Sequence, residues 1–73
     1  MTIGEKLKAL REEKSLTLDD VARDIGLTRQ AIYNYESDVR IPRDEIKVKL
    51  CQYYEVGVEN IFFNQKSNDK LLK

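Results

Sequence analysis

At 73 residues the chain has room for one small domain and no second core. Of its residues 41% are hydrophobic and 36% charged, and 13 Lys and Arg balance 13 Asp and Glu to a formal charge of zero, which excludes both a polybasic nucleic-acid coat and a disordered acidic chain. With one cysteine and no histidine, an internal disulfide is impossible and a zinc site has no ligand set, so neither metal nor cofactor is expected.

No apolar run approaches the ~18 residues of a membrane span, and the opening Met1-Thr2-Ile3-Gly4-Glu5-Lys6 turns polar within five residues. Neither a membrane segment nor a secretory leader is expected, and a cytoplasmic location is. A domain this short leaves only about 40% of its unfolded surface in water, and local helical contacts are the economical way to reach that burial.

In chain order the sequence predicts five short helices and a polar tail. Thr2 and Glu5 form a capping box, with Ile3, Leu7 and Leu10 on one stripe and a stop near Glu13–Lys14. Thr17 caps the second helix and two carboxylates, Asp19 and Asp20, occupy its first turn. Its apolar face runs through Leu18, Val21, Ala22 and Ile25 to a stop at Gly26, where φ > 0 costs little. Asp19, Asp20 and Asp24 are read as complements of the helix dipole rather than metal ligands.

After the single residue Leu27, Thr28 caps a third helix with Ala31, Ile32 and Tyr35 inward and Arg29, Gln30, Tyr33 and Asn34 outward. Residues 37–42 break the pattern and Pro42 disfavours helix before it. A fourth helix is predicted over Asp44–Tyr54, burying Ile46, Leu50, Cys51 and Tyr54, with Cys51 as a small core residue. A fifth is predicted over Val58–Phe63 after a weak cap at Gly57. Residues 1–63 are expected to form the domain and 64–73 a flexible tail.

The informative stretch is TLDDVARDIGLTRQAIYNYE, residues 17–36. Two helices of about eight residues joined by so short a turn must cross steeply. Ala22 has to be small where the second rod crosses, Gly26 has to turn, and Thr28 has to cap so that the next helix can project.

This stretch, with the opening KLKALREEKSLT and the closing IPRDEIKVKLCQYYEVGVENIFF, resembles the phage repressor and Cro-like (Xre-type) helix-turn-helix family over about Ile3 to Phe62. The resemblance implies an all-α, five-helix domain whose third helix enters the DNA major groove. It implies base-reading roles for Arg29, Gln30, Tyr33 and Asn34, and phosphate contacts from Thr17, Ser37 and Arg40. Arg43 is close enough in sequence to join these phosphate contacts, and Thr28 offers a helix N-terminus to them. It implies a structural ion pair between Arg11 and Glu36. Independently, Arg can fork onto guanine O6 and N7, and Gln or Asn can pair with adenine N6 and N7.

Two positions depart from the family pattern. Leu18 stands where a phosphate-binding Gln is common, and Asp38 where a glycine is common. Across residues 28–49 five cations face four anions, and with Glu36 consumed by Arg11 the exposed excess is two positive charges.

Two adjacent aromatics on a short helix cannot both face one core, so Phe62 and Phe63 are expected to offer one ring to a partner subunit. The implied function is a sequence-specific transcriptional regulator, a repressor by expectation, that binds a near-palindromic operator as a homodimer, without a small-molecule ligand. The competing reading is a protein-interaction module on the same fold, such as an antitoxin or regulator antagonist. An enzyme is not expected, since no nucleophile–base pair or phosphate-cradling glycine loop is present.

Overall fold

The computed structural model describes residues 1–62 and contains five helices in that span: α1 (Ile3–Glu13), α2 (Leu18–Ile25), α3 (Arg29–Glu36), α4 (Asp44–Tyr54) and α5 (Val58–Ile61). No strand occurs among the described residues. The expected tail, 64–73, lies outside them.

Local chemistry starts each of the first three helices. The capping box of α1 is complete: Thr2 Oγ1 accepts from the Glu5 amide at 3.0 Å and Glu5 Oε1 accepts from the Thr2 amide at 2.8 Å. In α2 the Asp20 amide donates to Thr17 Oγ1 at 3.0 Å and the Thr17 amide to Asp20 Oδ2 at 2.9 Å. The hydrogen bond from the Thr17 amide, with the Thr17 side chain second, holds the Asp20 carboxyl below the usual carboxylate range. Gly26 ends α2 at φ 88°, the left-handed conformation the turn requires. Thr28 then accepts from the Ala31 amide at 3.1 Å and opens α3.

The core gathers one stripe from each helix. Leu7, Val21, Ala22, Ile25, Ile32, Ile46, Leu50, Cys51, Tyr54, Ile61 and Phe62 are buried, each larger aliphatic contributing roughly 1.5–3 kcal/mol by leaving water. Leu16, Leu18, Leu27 and Tyr35 pack against this cluster from its edges. Burial raises the Cys51 thiol above its ordinary range, as suits a core residue rather than a reactive thiolate.

The C-terminal end departs from expectation. Helix α5 stops at Ile61, and Phe62 follows as its cap, with its amide donating to the Val58 carbonyl at 2.9 Å. Phe62 is buried in the protomer's own core, 6% exposed, with the Lys47 ammonium 5.3 Å from its ring centroid. A ring so buried in one protomer offers little surface to a partner subunit. Phe63 lies outside the described residues.

The feature that orients α3 is its contact with α1. A Cβ at Gly4 would sit 2.7 Å from the Glu36 carbonyl carbon and 2.8 Å from the Tyr35 oxygen, so only glycine lets the first turn of α1 lie on the last turn of α3. Asp38, in the left-handed region at φ 64°, accepts from the Gly4 amide through Oδ1 at 2.9 Å. Its charge therefore serves the positive end of α1.

Candidate nucleic-acid interface

Helix α3 has one anchored face and one open face. Ile32 is buried, while Ala31 and Tyr35 are half-buried against the core. At its C-terminal end Glu36 receives a bidentate grip from Arg11: Nε to Oε2 at 2.7 Å and Nη2 to Oε1 at 3.0 Å. Arg11 Nη1 also donates to the Leu16 carbonyl at 2.8 Å, tying the turn before α2 to the same guanidinium. The two side chains are 12% and 7% exposed, and the Glu36 hydrogen bond raises the Arg11 pKa above its ordinary value. Beside them Tyr54 is held well above the ordinary phenol range, by burial first and by the Glu36 charge second.

The opposite face carries the four residues expected to read bases. Arg29 and Gln30 are exposed, Tyr33 is 51% exposed and Asn34 is half-buried. Gln30 Nε2 donates to Asn34 Oδ1 at 3.0 Å, one turn apart, which leaves the Gln30 carbonyl oxygen and the Asn34 amide hydrogens facing outward. Arg29 Nε lies 3.6 Å from Asp19 Oδ1 on α2. At the start of α3 the amides of Arg29 and Gln30 have no carbonyl within the helix to serve, and the dipole adds partial positive charge there.

The loop after α3 is anchored by backbone contacts. The amides of Val39 and Arg40 both donate to the Asn34 carbonyl, at 3.0 and 3.2 Å, and the Pro42 ring is fully buried. Arg40 and Arg43 are thereby held exposed on either side of an anchored residue. Arg43 precedes α4 as its cap residue without a side-chain capping bond.

Thr17 and Thr28 are exposed, and the hydroxyl oxygen of each caps a helix. Ser37 differs. Its Oγ donates to the Tyr33 carbonyl at 2.8 Å, so it must rotate before it can donate to a phosphate oxygen.

Between α1, the start of α2 and the end of α3 lies a cleft of about 290 Å³, lined by Lys8, Arg11, Leu18, Tyr33, Glu36 and Ser37. It brings Lys8 beside residues expected to meet DNA. Lys8 was not a candidate from the sequence; its one signal was a spacing of three from Arg11, which puts both on the same side of α1. Leu18, where the family pattern has a polar residue, instead packs against the core. No group of three or more metal-ligating side chains occurs among the described residues.

Two short rods, a glycine turn at positive φ and a projecting polar face are the geometry that the sequence resemblance implies. A family model described as a helix-turn-helix domain matches residues 4–67. The chain belongs to the helix-turn-helix family, in its phage-repressor (Xre) branch.

Among helix-turn-helix relatives, the chain is 30% identical over 71 residues to the cryptic phage CTXphi transcriptional repressor RstR of Vibrio cholerae, covering 96% of this chain and 64% of that protein. It is 26% identical over 70 residues to the transcriptional regulator ImmR of Bacillus subtilis, covering 96% and 55%. An uncharacterised helix-turn-helix regulator of Methanocaldococcus jannaschii is 33% identical over 57 residues, 78% of this chain and 86% of that one. The chain thus spans a little over half to somewhat under two thirds of RstR and ImmR, and 17% of a larger regulator from Methanoregula boonei.

Proposed function

We propose that this protein is a sequence-specific transcriptional repressor that inserts α3 into the DNA major groove and binds a near-palindromic operator as a homodimer in the cytoplasm. The observation that carries the reading is the division of α3. Its inner face and C-terminal end are fixed by Ile32, Gly4 and the Arg11–Glu36 pair, while on the other side Arg29, Gln30 and Tyr33 are exposed and Asn34 is partly so.

An exposed face bearing a guanidinium and two carboxamides is equipped for guanine and adenine edges. Thr17, Thr28, Arg40 and Arg43 flank it as phosphate contacts, with Lys8 added from the cleft and Ser37 after rotation. The naming of RstR as a phage repressor supports the regulatory sign.

With a net charge of zero and a small local excess of positive charge, one subunit makes few phosphate contacts, so operator affinity depends steeply on pairing two copies. Two α3 helices in successive major grooves sit about 34 Å apart. Selection of bound duplexes from a random pool is expected to enrich an inverted repeat with half-sites about 10 base pairs apart. Replacing Arg29 and Gln30 together with Ala is expected to abolish binding to that repeat without altering the melting temperature. Retained binding would refute the assignment of α3.

A protein-interaction module is the second reading, favoured by Val39 and Ile41, which are 67% and 68% exposed beside the anchored loop. Salt dependence separates the two, because binding through phosphates weakens steeply as salt rises and apolar docking does not.

A further inference from the structure

The three aspartates of α2, alike in sequence, have three different surroundings. Asp20 caps the helix through the Thr17 amide. Asp24 accepts from the Tyr53 hydroxyl at 2.6 Å. Asp19 faces Arg29 across the helix crossing, its Oδ1 3.6 Å from the Arg29 Nε. Both members of this last pair are exposed, at 74% and 64% of their side chains, so it adds almost nothing to the stability of the free protein.

We propose that Asp19 is a positioning residue that aims Arg29 at guanine and keeps it off phosphate. The inference rests on the reading of α3 as the base-reading helix. A guanidinium offers two hydrogen-bonding forks, one along Nε and Nη2 and one along the two Nη groups. A carboxylate 3.6 Å from Nε draws the side fork toward α2 by charge and leaves the end fork free to reach O6 and N7 of a guanine in the groove.

The same carboxylate repels phosphate oxygens. An arginine at the first position of α3, beside the helix N-terminus, is otherwise as well placed for the backbone as for a base. Once duplex DNA covers the pair and displaces water, the screening that makes it negligible in the free protein is reduced, and the contact strengthens when recognition needs it. Discrimination in this protein therefore depends on an acidic residue, and part of the missing positive charge of the domain is the cost of that selectivity.

The test uses the full chain with its selected operator, a scrambled duplex of the same length, and the operator with the guanine opposite Arg29 replaced. Binding is followed by fluorescence anisotropy across a salt series for wild type, Asp19→Asn, Arg29→Ala and the double variant. Asp19→Asn is expected to bind the scrambled duplex several-fold more tightly and to lose roughly tenfold in discrimination at that guanine. Its salt slope is expected to steepen by about one counterion as Arg29 gains a phosphate. The melting temperature is expected to fall only slightly, by the loss of one first-turn charge on α2. In the Arg29→Ala background the Asp19 substitution keeps only a uniform gain from the lost negative charge and no change in discrimination at the guanine.

The proposal is overturned if Asp19→Asn changes operator and scrambled duplex by the same factor, or if its loss of discrimination persists without Arg29, either of which would mark a general charge effect. An Arg29→Ala variant that binds the operator as tightly as wild type would instead remove the base-reading assignment, and the role of Asp19 with it.

Discussion

The two ends of α3 are built in opposite ways. At Glu36 the helix is clamped: a part-buried bidentate ion pair, a carbonyl pressed on Gly4, and Asp38 closing back onto the first turn of α1. At Arg29 it is held by one threonine cap and an exposed charge contact. On the proposed reading, the difference is how a domain this small would present a rigid reading element. Rigidity is concentrated where the side chains would not meet DNA, and the end that would meet it is lightly held. A helix fixed at one end over a buried Ile32 has a set direction, which is what docking into a groove of fixed width requires.

The contrast breaks most visibly at Glu36. Glu36→Ala leaves the part-buried Arg11 guanidinium without its bidentate partner, and a loss of about 1.5–3 kcal/mol is expected in urea denaturation, a large part of the stability of such a domain. Replacing both residues with apolar ones of similar volume, Arg11→Met with Glu36→Leu, is expected to recover most of it. If the single variant costs less than about 1 kcal/mol, the clamp is not where rigidity resides.

Gly4→Ala comes next. A methyl group would strike the backbone of Glu36 and Tyr35, which cannot swing aside as a side chain can. The expected loss is about 1–3 kcal/mol from overpacking, against a helix-propensity gain of up to about 1 kcal/mol. Operator affinity is expected to fall as well, because α1 can yield only by tilting α3.

How much of this was legible in the sequence follows the range of each interaction. The caps at Thr2, Thr17 and Thr28, the turn at Gly26 and the span of α4 depend on residues within four positions of one another, and local patterns record them. The outward set on α3 was readable for the same reason, since helical period alone separates Arg29, Gln30, Tyr33 and Asn34 from Ile32. The Arg11–Glu36 pair, 25 residues apart, came from family resemblance and not from any local signal.

What stayed hidden was long-range and had no period. The Asp38 contact to Gly4 spans 34 residues, the Tyr53 contact to Asp24 spans 29, and neither leaves a spacing to read. Lys8 entered the candidate interface only when the fold set α1 beside α3. The Phe62-Phe63 pair carried no local sign of which ring the core takes, and Phe62 is the one found buried among the described residues.

Away from both ends of α3, Tyr53 joins α4 to α2 and serves as a control. Burial first, then the hydrogen bond to Asp24, pushes its phenol up to about 12. A raised phenol pKa means that the native state holds its proton longer than the unfolded chain, whose phenols titrate near 10. Stability is therefore unaffected below about pH 10 by this group and falls as pH rises from there toward 12. Tyr53→Phe is expected to cost about 1 kcal/mol at neutral pH through the lost hydrogen bond and to flatten that alkaline decline. Operator affinity at neutral pH should change little.

The smallest effect on stability is expected at the reading end itself, and there the comparison is sharpest. Thr28→Ala removes the cap of α3 and is expected to cost about 1 kcal/mol, since even an unencumbered helix start has amides to satisfy. Arg29→Ala, one residue on, removes a side chain that covers no core and makes only an exposed charge contact, so its stability is expected to stay within about 0.5 kcal/mol of wild type.

Its operator affinity is expected to fall about tenfold or more if one bidentate guanine contact is lost. Glu36→Ala and Arg29→Ala thus form a crossed pair: the first unfolds a protein whose reading face is intact, the second blunts a protein whose fold is intact. A common ratio of affinity loss to stability loss in the two variants would mean that the ends of α3 are not divided as described. Opposite ratios would locate rigidity and recognition at separate ends of one eight-residue helix.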